Sequence, residues 1–535
     1  MASQEIKTLD QLLLVNGHQI KNYFVIGIAS FLVTSFALSY IITTSHLKYR
    51  CIIPECEDPR NSSYWTPWLK YAVPYDKDGY PQTCNRYPIK GSGSCSDSSS
   101  FDKTKLVKCN SWVFESKETN LLTEFDLECE NEWKLALIGS LDGIGALIGT
   151  PICAFVSDKF GRKRALCFFS ICCVILGFIR SFSVNYSMYA VLDFFNEFLD
   201  FGIFGTSFVL CMEVVSSRHR IVANVIFNLF GSLGYVYLGI VGIWFPDWRW
   251  MLRALYANGL IFFFYYWLAP ESARWLLVRN RDTEAIEAVK NTIKNNPKTK
   301  HVNVEDLLRN TKKLEEQDVH VGYLKTLQLA LTSCTLLTRL IHSSICWLGV
   351  VFLWYGHLQE SVSLSGDKHA NVVLSALAQV PGYTLSGLSF KLGHKVTLLG
   401  SLMLCSISSF VSFSFYYMSD DTDYDTARLI LYLCSMMGVT SSYAVLYTST
   451  ITMFPTPLRQ SLLALCSMVG RFGHVLAPQV VQLGSKLALL TFGVVAFAVA
   501  CLAMLQPETL HLDLPDTVNE AKKVGSESVK TNENR

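Results

Sequence analysis

Ser157-Asp-Lys-Phe-Gly-Arg-Lys-Arg164 lies between two apolar runs and forms a very short, strongly basic connection. A short loop rich in Lys and Arg between two membrane helices stays on the cytoplasmic side, so this stretch fixes one point of a topology. The remaining spans can be counted outwards from it. Two spans further on, Ser217-Arg-His-Arg220 is the next basic connection and by the same rule is again cytoplasmic.

Composition agrees. Of 535 residues, 50% are hydrophobic, 13% aromatic and only 17% charged, with a mean hydropathy of +0.28; soluble domains carry about a quarter charged residues. The chain therefore reads as an all-α polytopic membrane protein, with the lipid bilayer as its surroundings. A net charge of +2 says nothing about nucleic acid and no long basic tract supports it, so no nucleic acid partner is expected. Lys7, Asp10 and Asn16 break up the N-terminal stretch, which is therefore not a removable signal peptide. Residues 1–22 read as a cytoplasmic N-terminus and 23–44 as a retained first helix, long enough to cross a bilayer.

Residues 45–132 form a polar loop holding six of the 17 cysteines: Cys51, Cys56, Cys84, Cys95, Cys109 and Cys129. An even number in an extracytoplasmic loop points to disulfides, although six cysteines allow fifteen pairings. Asn61-Ser-Ser63 in the same loop is a glycosylation sequon, so both signals place the loop outside. From residue 133 to 269 the apolar runs give helices two to six. The second contains Gly139, Gly143, Gly145 and Gly149, spacings that let neighbouring helices approach closely. Residues 270–333 form a charged cytoplasmic linker in which 282–290 read as an amphipathic helix with Ile286 and Val289 on one side. Residues 334–505 give helices seven to twelve, and 506–535 a polar cytoplasmic tail. Six spans, a linker and six spans describe a fold of two parallel repeats with a substrate site at the midplane between them.

At these positions the residues carry a family resemblance. The turn from Asp158 to Arg164 resembles the loop between helices two and three of the major facilitator superfamily. The Cys-rich first loop resembles the organic cation, anion and zwitterion (carnitine) transporter branch of that superfamily. So do Trp248-Arg-Trp250, Pro270-Glu-Ser-Ala-Arg-Trp275, Phe454-Pro-Thr-Pro-Leu-Arg459, Pro507-Glu-Thr509 and Leu514-Pro-Asp-Thr517. The likeness runs from about Asp10 to Asp516. It implies a multi-pass solute carrier of the plasma membrane, working by alternating access on a small organic ion, with a counter-ion or exchange substrate as a further partner.

The resemblance also implies a gate. Asp158, Gly161, Arg162 and Arg164 would hold the cytoplasmic side closed, with Glu213, Arg218, Glu271 and Arg274 in the same charge network. The alternative is that these charges only mark the inner face. The corresponding turn of the second half, Phe390-Lys-Leu-Gly-His-Lys395, lacks the acidic residue and has His394 where the family has an arginine.

Substrate charge turns on Arg471, inside the otherwise apolar eleventh span. A cation at that depth costs about 3 kcal/mol on insertion scales, and about 10 or more in simulation, unless it meets water, a carboxylate or substrate. By resemblance an Asp there marks cation carriers and an Arg the anion and carnitine-like carriers. Gln379 stands where cation carriers have a Glu, and an amide cannot neutralise a cation. Arg471 could instead pair with one of Asp142, Asp193, Glu197 and Asp200. Asp193 and Glu197 share a face of the fourth helix and keep an organic cation reading open. Among the aromatic residues of the later spans, Tyr355 and Tyr447 are the expected pocket residues. A non-transporting receptor or scaffold with the same fold is the reading from another class, motivated by His394. No Gly-x-x-x-x-Gly-Lys-Ser/Thr loop points to ATP, and no nucleophile, cofactor or metal constellation is found, so no enzyme, cofactor or metal is expected.

Overall fold

The computed structural model describes residues 17–58, 62–75, 81–90, 94–215, 219–293, 332–418, 424–455, 458–508 and 518–523, with residues 304, 305, 308, 328 and 515. The apolar runs are helices. In chain order these are α1, Gly17–Ala37, continued after a break at Leu38 by Ser39–Thr43; α2, Trp133–Phe160; α3, Arg162–Arg180; and α4, Tyr186–Val214. They are followed by α5, Arg220–Trp244, and α6, Trp248–Asn258, which tightens into 3-10 turns over Gly259–Phe264. The second set is α7, Cys334–Glu360; α8, Lys368–Ser386; α9, His394–Met418; α10, Asp425–Met453; α11, Arg459–Val481; and α12, Ser485–Ala503. The first helix thus begins inside the stretch assigned to an N-terminal tail.

Among the described residues, eight helices are long and apolar enough by themselves to cross a membrane. The others are α3, α4, α6 and α8, and their sequences say why. Asp193, Glu197 and Asp200 lie inside α4, Arg162 and Arg180 bound α3, Arg249 and Arg253 open α6, and α8 is short and contains Pro381. These four are held by neighbours: α4 lies along α2 and α3, and α8 along α5 and α10. Their polar groups are satisfied inside the bundle rather than exposed to lipid.

The halves α1–α6 and α7–α12 meet mainly through α2 against α11 and α5 against α8. Those crossings use small residues near the helix ends that face the Cys-rich loop. A Cβ on Gly143 would lie 2.9 Å from Val475 N, and one on Gly139 2.7 Å from Pro478 Cγ. Ser140 Oγ donates to the Val475 carbonyl at 2.7 Å, and Gln479 Nε2 donates to Ser140 Oγ at 3.0 Å. Towards the linker the halves touch more thinly, with Phe208 edge-on to Tyr447 at 5.5 Å. The bundle is closed on the loop side.

In the loop, Cys51 pairs with Cys109, Cys56 with Cys95 and Cys84 with Cys129. Strand Tyr49–Cys51 runs antiparallel to Trp112–Phe114, and the buried Arg50 holds Glu57 through bonds of 2.6 and 2.7 Å. Glu124 anchors the loop to the first half by accepting from Trp248 Nε1 at 2.5 Å and Arg249 Nε at 2.9 Å. Glu118 reaches the second half, pairing with Lys368 and lying 3.3 Å from His369 Nε2. Asn61 lies outside the described residues. In the linker, helices Ala273–Val278 and Asp282–Ile293 bury Trp275, Leu276 and Leu277 against Ala285 and Val289.

Candidate functional site

Seven helices converge on a cavity of about 90 Å³ between the halves. From the first half, α1 contributes Ser30 and Thr34, α4 contributes Asp200 and Phe201, and α5 contributes Asn228 and Ser232. From the second come Trp354 and Tyr355 of α7, Gln379 and Tyr383 of α8, Tyr443 of α10 and Arg471 of α11. Ligand pockets span about 300–1,000 Å³, so this cavity is a contracted site that must widen to admit an organic ion. A larger hollow of about 620 Å³ lies among the loop-side helix ends, with Ser45, Glu118, Glu132, Gln359 and Lys368 on its walls. It is a vestibule on the closed side.

Arg471 Nη1 donates to the Tyr355 hydroxyl at 3.2 Å, and the guanidinium lies 3.9 Å over the Phe201 ring. Among the described residues no carboxylate forms an ion pair with it. A guanidinium has five N–H donors, one of which is used on Tyr355, and Arg471 lines the cavity. Tyr355 is fixed in turn by stacking on His474, with ring centroids 3.4 Å apart, and by the edge of Trp354. Gln379 Oε1 accepts from Ser232 Oγ at 3.3 Å, while its Nε2 is buried without a partner among the described residues.

Of the substrate-site residues expected from sequence, Arg471, Gln379 and Tyr355 thus share one wall system. Tyr447 lies about a turn nearer the linker, between Phe208 and Trp347, and does not line the cavity. Asp193 and Glu197 are also absent from the wall. Asp193 forms a buried ion pair with Arg180, which also donates to Ser39 Oγ at 2.6 Å and the Tyr256 hydroxyl at 3.2 Å. Arg180 was not singled out from sequence; a charge ending an apolar run was the available signal. Asp200 does reach the wall and accepts from Asn196 at 2.9 Å, with Cys173 Sγ at the same distance. Asn228, Ser232 and Phe201 were missed because nothing in a neutral helical face distinguishes cavity from packing.

The basic turn is built as a bracket. Arg162 donates through Nη2 and Nε to Glu213 at 3.1 and 3.3 Å and pairs with Asp158. Glu271 accepts from the backbone N–H groups of Arg162 at 3.0 Å and Lys163 at 3.2 Å, capping α3. Burial pushes the Glu271 carboxyl above its ordinary pKa, and those backbone hydrogen bonds and Arg162 oppose the rise. Gly161 turns the chain at φ +104°, where a Cβ would lie 2.8 Å from Glu271 Oε2. Trp275 Nε1 and Arg279 Nη2 each donate to the Asp158 carbonyl at 2.8 Å. The bracket therefore joins α2, α3, α4 and the linker, all before the second half. Among the described residues none of its bonds crosses to α7–α12, as befits a bundle closed on the opposite side. Arg164 is exposed, Arg274 sits half-buried on the first linker helix, and Arg218 lies outside the described residues.

The second-half turn keeps more than its own sequence suggests. Gly393 has φ +96°, and Glu508 accepts from the backbone of His394 at 3.1 Å and Lys395 at 3.3 Å. The capping acid comes from Pro507-Glu-Thr509, just as Glu271 comes from Pro270-Glu-Ser272. What is missing is the Asp158–Arg162–Glu213 triad, since Phe390 and His394 occupy the first two places.

Residues 130–478 match the family model described as Major Facilitator Superfamily. The chain is 29% identical to an organic cation transporter protein of Drosophila melanogaster, covering 86% of this chain and 87% of that one. It is 26% identical to organic cation/carnitine transporter 2 of Mus musculus, covering 91% and 88%. In fold it is similar to the inward open conformation of the xylose transporter XylE from E. coli, with a TM-score of 0.61 at 13% identity, over 92% of this chain and 98% of that one.

Proposed function

Because the chain belongs to the major facilitator superfamily, in its organic cation, anion and carnitine transporter branch, it is a membrane transporter and not an enzyme, and we propose that it carries small organic anions or zwitterions by alternating access. The observation that supports this reading is Arg471: a buried guanidinium on the cavity wall, held by Tyr355 and Phe201 and, among the described residues, in no ion pair with a carboxylate. A substrate carboxylate would complete its fork with charge-assisted hydrogen bonds. Gln379 and Ser232 would take a neutral polar group, and Trp354 and Tyr443 would cover a flat or quaternary ammonium end. Asp200 on the same wall favours a second reading, an organic cation. The Cys-rich loop belongs outside the cell, the linker in the cytoplasm and the protein in the plasma membrane; the three disulfides support that orientation. In exchange the carrier returns loaded with the counter-substrate.

The test is uptake into vesicles of a labelled organic anion, an organic cation and carnitine, with Arg471→Ala in parallel. Anion or carnitine uptake should fall about 10- to 100-fold, the loss of about 1.5–3 kcal/mol of charged hydrogen bonding. Cation uptake that survives Arg471→Ala, with no anion or carnitine uptake, overturns the first reading. No uptake of any probe supports the scaffold reading.

A further inference from the structure

Asp142 of α2 and His474 of α11 face each other across the contact that closes the loop side, with His474 Nε2 3.3 Å from Asp142 Oδ2. The two residues are 2% and 0% exposed. Among the described residues, neither Asp142 Oδ2 nor either ring nitrogen of His474 has a hydrogen-bond partner. The imidazole is held by its stack on Tyr355, and Tyr40 lies on its other side at 6.5 Å between ring centroids. One half supplies a carboxylate and the other an imidazole, and both keep their hydrogen-bonding capacity for each other.

The surroundings are unbalanced in charge. Tyr40 faces the pair from α1 and Arg180 from α3, while α4 contributes Tyr189, Asp193, Glu197 and Asp200. Tyr355 faces it from α7, and Arg471 from α11 beside His474. Asp142 with the three acids of α4 makes four carboxylates against the two guanidiniums of Arg180 and Arg471. Arg180 is already spent on Asp193, and among the described residues Glu197 Oε2 is buried without a partner. An unpaired carboxylate in such surroundings costs several kcal/mol and is relieved by binding a cation. The gap between Asp142 and His474 is the length of one hydrogen bond, which leaves room for no cation larger than a proton.

We propose that Asp142 and His474 form a proton-binding site that exists only while the loop side is closed. On closure one proton leaves loop-side water and is bound between Asp142 Oδ2 and His474 Nε2, so the pair is neutral or an internal ion pair. On opening, water hydrates both groups, the carboxylate stands ionised and the proton returns to solution. Of the α4 acids beside the pair, Asp200 also lines the cavity. Each closure therefore takes up a proton, and acid favours the loop-closed state. The inference rests on the alternating-access reading.

The test uses the full chain in vesicles and reads opening without substrate. A thiol introduced by Ser140→Cys, inside the α2–α11 contact, reacts with an impermeant maleimide from the loop side only when the halves part. Its rate is normalised to that of a thiol placed in the exposed loop by Lys90→Cys. One proton per closure makes the normalised rate fall up to tenfold for each pH unit of acidification. Asp142→Asn, neutral at every pH, should abolish this fall, and protonation of hydrated His474 in the open state can only turn it into a rise in acid. His474→Gln should keep the slope and move its midpoint to lower pH, because the imidazole no longer shares the proton. A flat wild-type profile, a slope retained in Asp142→Asn, or an unmoved midpoint in His474→Gln overturns the proposal. Carnitine and anion uptake are measured in the same vesicles; if uptake is absent while the slope and its loss in Asp142→Asn stand, the transport reading fails and the proton site is supported.

Discussion

Gly143→Ala separates the moving interface from ordinary packing. The added Cβ would lie 2.9 Å from Val475 N, 3.0 Å from its Cγ2 and 3.1 Å from its Cα, and two of these atoms are backbone. Comfortable contacts between non-bonded carbon atoms are about 3.5–4.0 Å, so α2 and α11 must separate by several tenths of an ångström. Overpacking of this kind costs about 1–3 kcal/mol. In an alternating carrier the α2–α11 contact exists only with the loop side closed, so the cost falls on that state alone. The open fraction should rise about 5- to 150-fold. Maleimide labelling at Ser140→Cys should accelerate accordingly, and initial uptake should fall because the cycle stalls. Gly145→Ala is the control: its Cβ would meet the Phe194 carbonyl at 2.6 Å, a contact of α2 with α4 inside the first half. It should lower the melting temperature without changing the labelling rate. If Gly143→Ala lowers the melting temperature and leaves labelling unchanged, the loop-side contact is not one that opens.

Three further outcomes are expected. Burial raises the pKa of the Glu118 carboxyl, but His369, whose Nε2 lies 3.3 Å away, and the charge and hydrogen bond of Lys368 outweigh it and hold the value at about 2. A depressed carboxyl contributes stability that is complete above its ordinary value near 4.5 and lost as pH falls towards 2, so the melting temperature should drop across that window. The loss should be about 1–3 kcal/mol and absent in Glu118→Gln; an identical acid profile in the variant would remove the clamp from the account. Arg180→Met leaves Asp193 buried without its partner and should cost about 3–5 kcal/mol, much of it recovered in Arg180→Met/Asp193→Leu, as read by thermal melting in detergent. Gly161→Ala must adopt φ +104° and push against Glu271 and Trp275, so it should loosen the linker by 1 kcal/mol or more, roughly. Faster limited proteolysis within 270–333 is the readout, and an unchanged rate would contradict it.

The Asp158–Arg164 stretch was legible as a turn because charge and apolar length are properties of a continuous segment. Its bonding was only partly legible. Glu213 and Glu271 reach Arg162 as the resemblance implies, but Trp275 and Arg279 join through the Asp158 carbonyl, which no side-chain pattern announces. The second-half turn read as degenerate until Glu508, from beyond α12, was found capping it. Asp193 read as a partner for Arg471 or for an organic cation, since Arg180 lies on another helix and only the rotation of α3 against α4 brings the two together.

The sequence by itself laid out apolar runs in two sets of six, and among the described residues eight of these helices are long and apolar enough to cross a membrane unaided, because burying apolar side chains in lipid needs only a run of sufficient length. It also determined that a few charges, Arg471 foremost, lie where a charge needs a reason. Which charges are spent on one another and which face the cavity was decided by tertiary structure alone. So were the disulfide pairing among fifteen possibilities and the meeting of Asp142 with His474 from opposite halves. Hydrogen bonds and ion pairs act over a few ångströms, and helix packing alone sets which distant residues come that close.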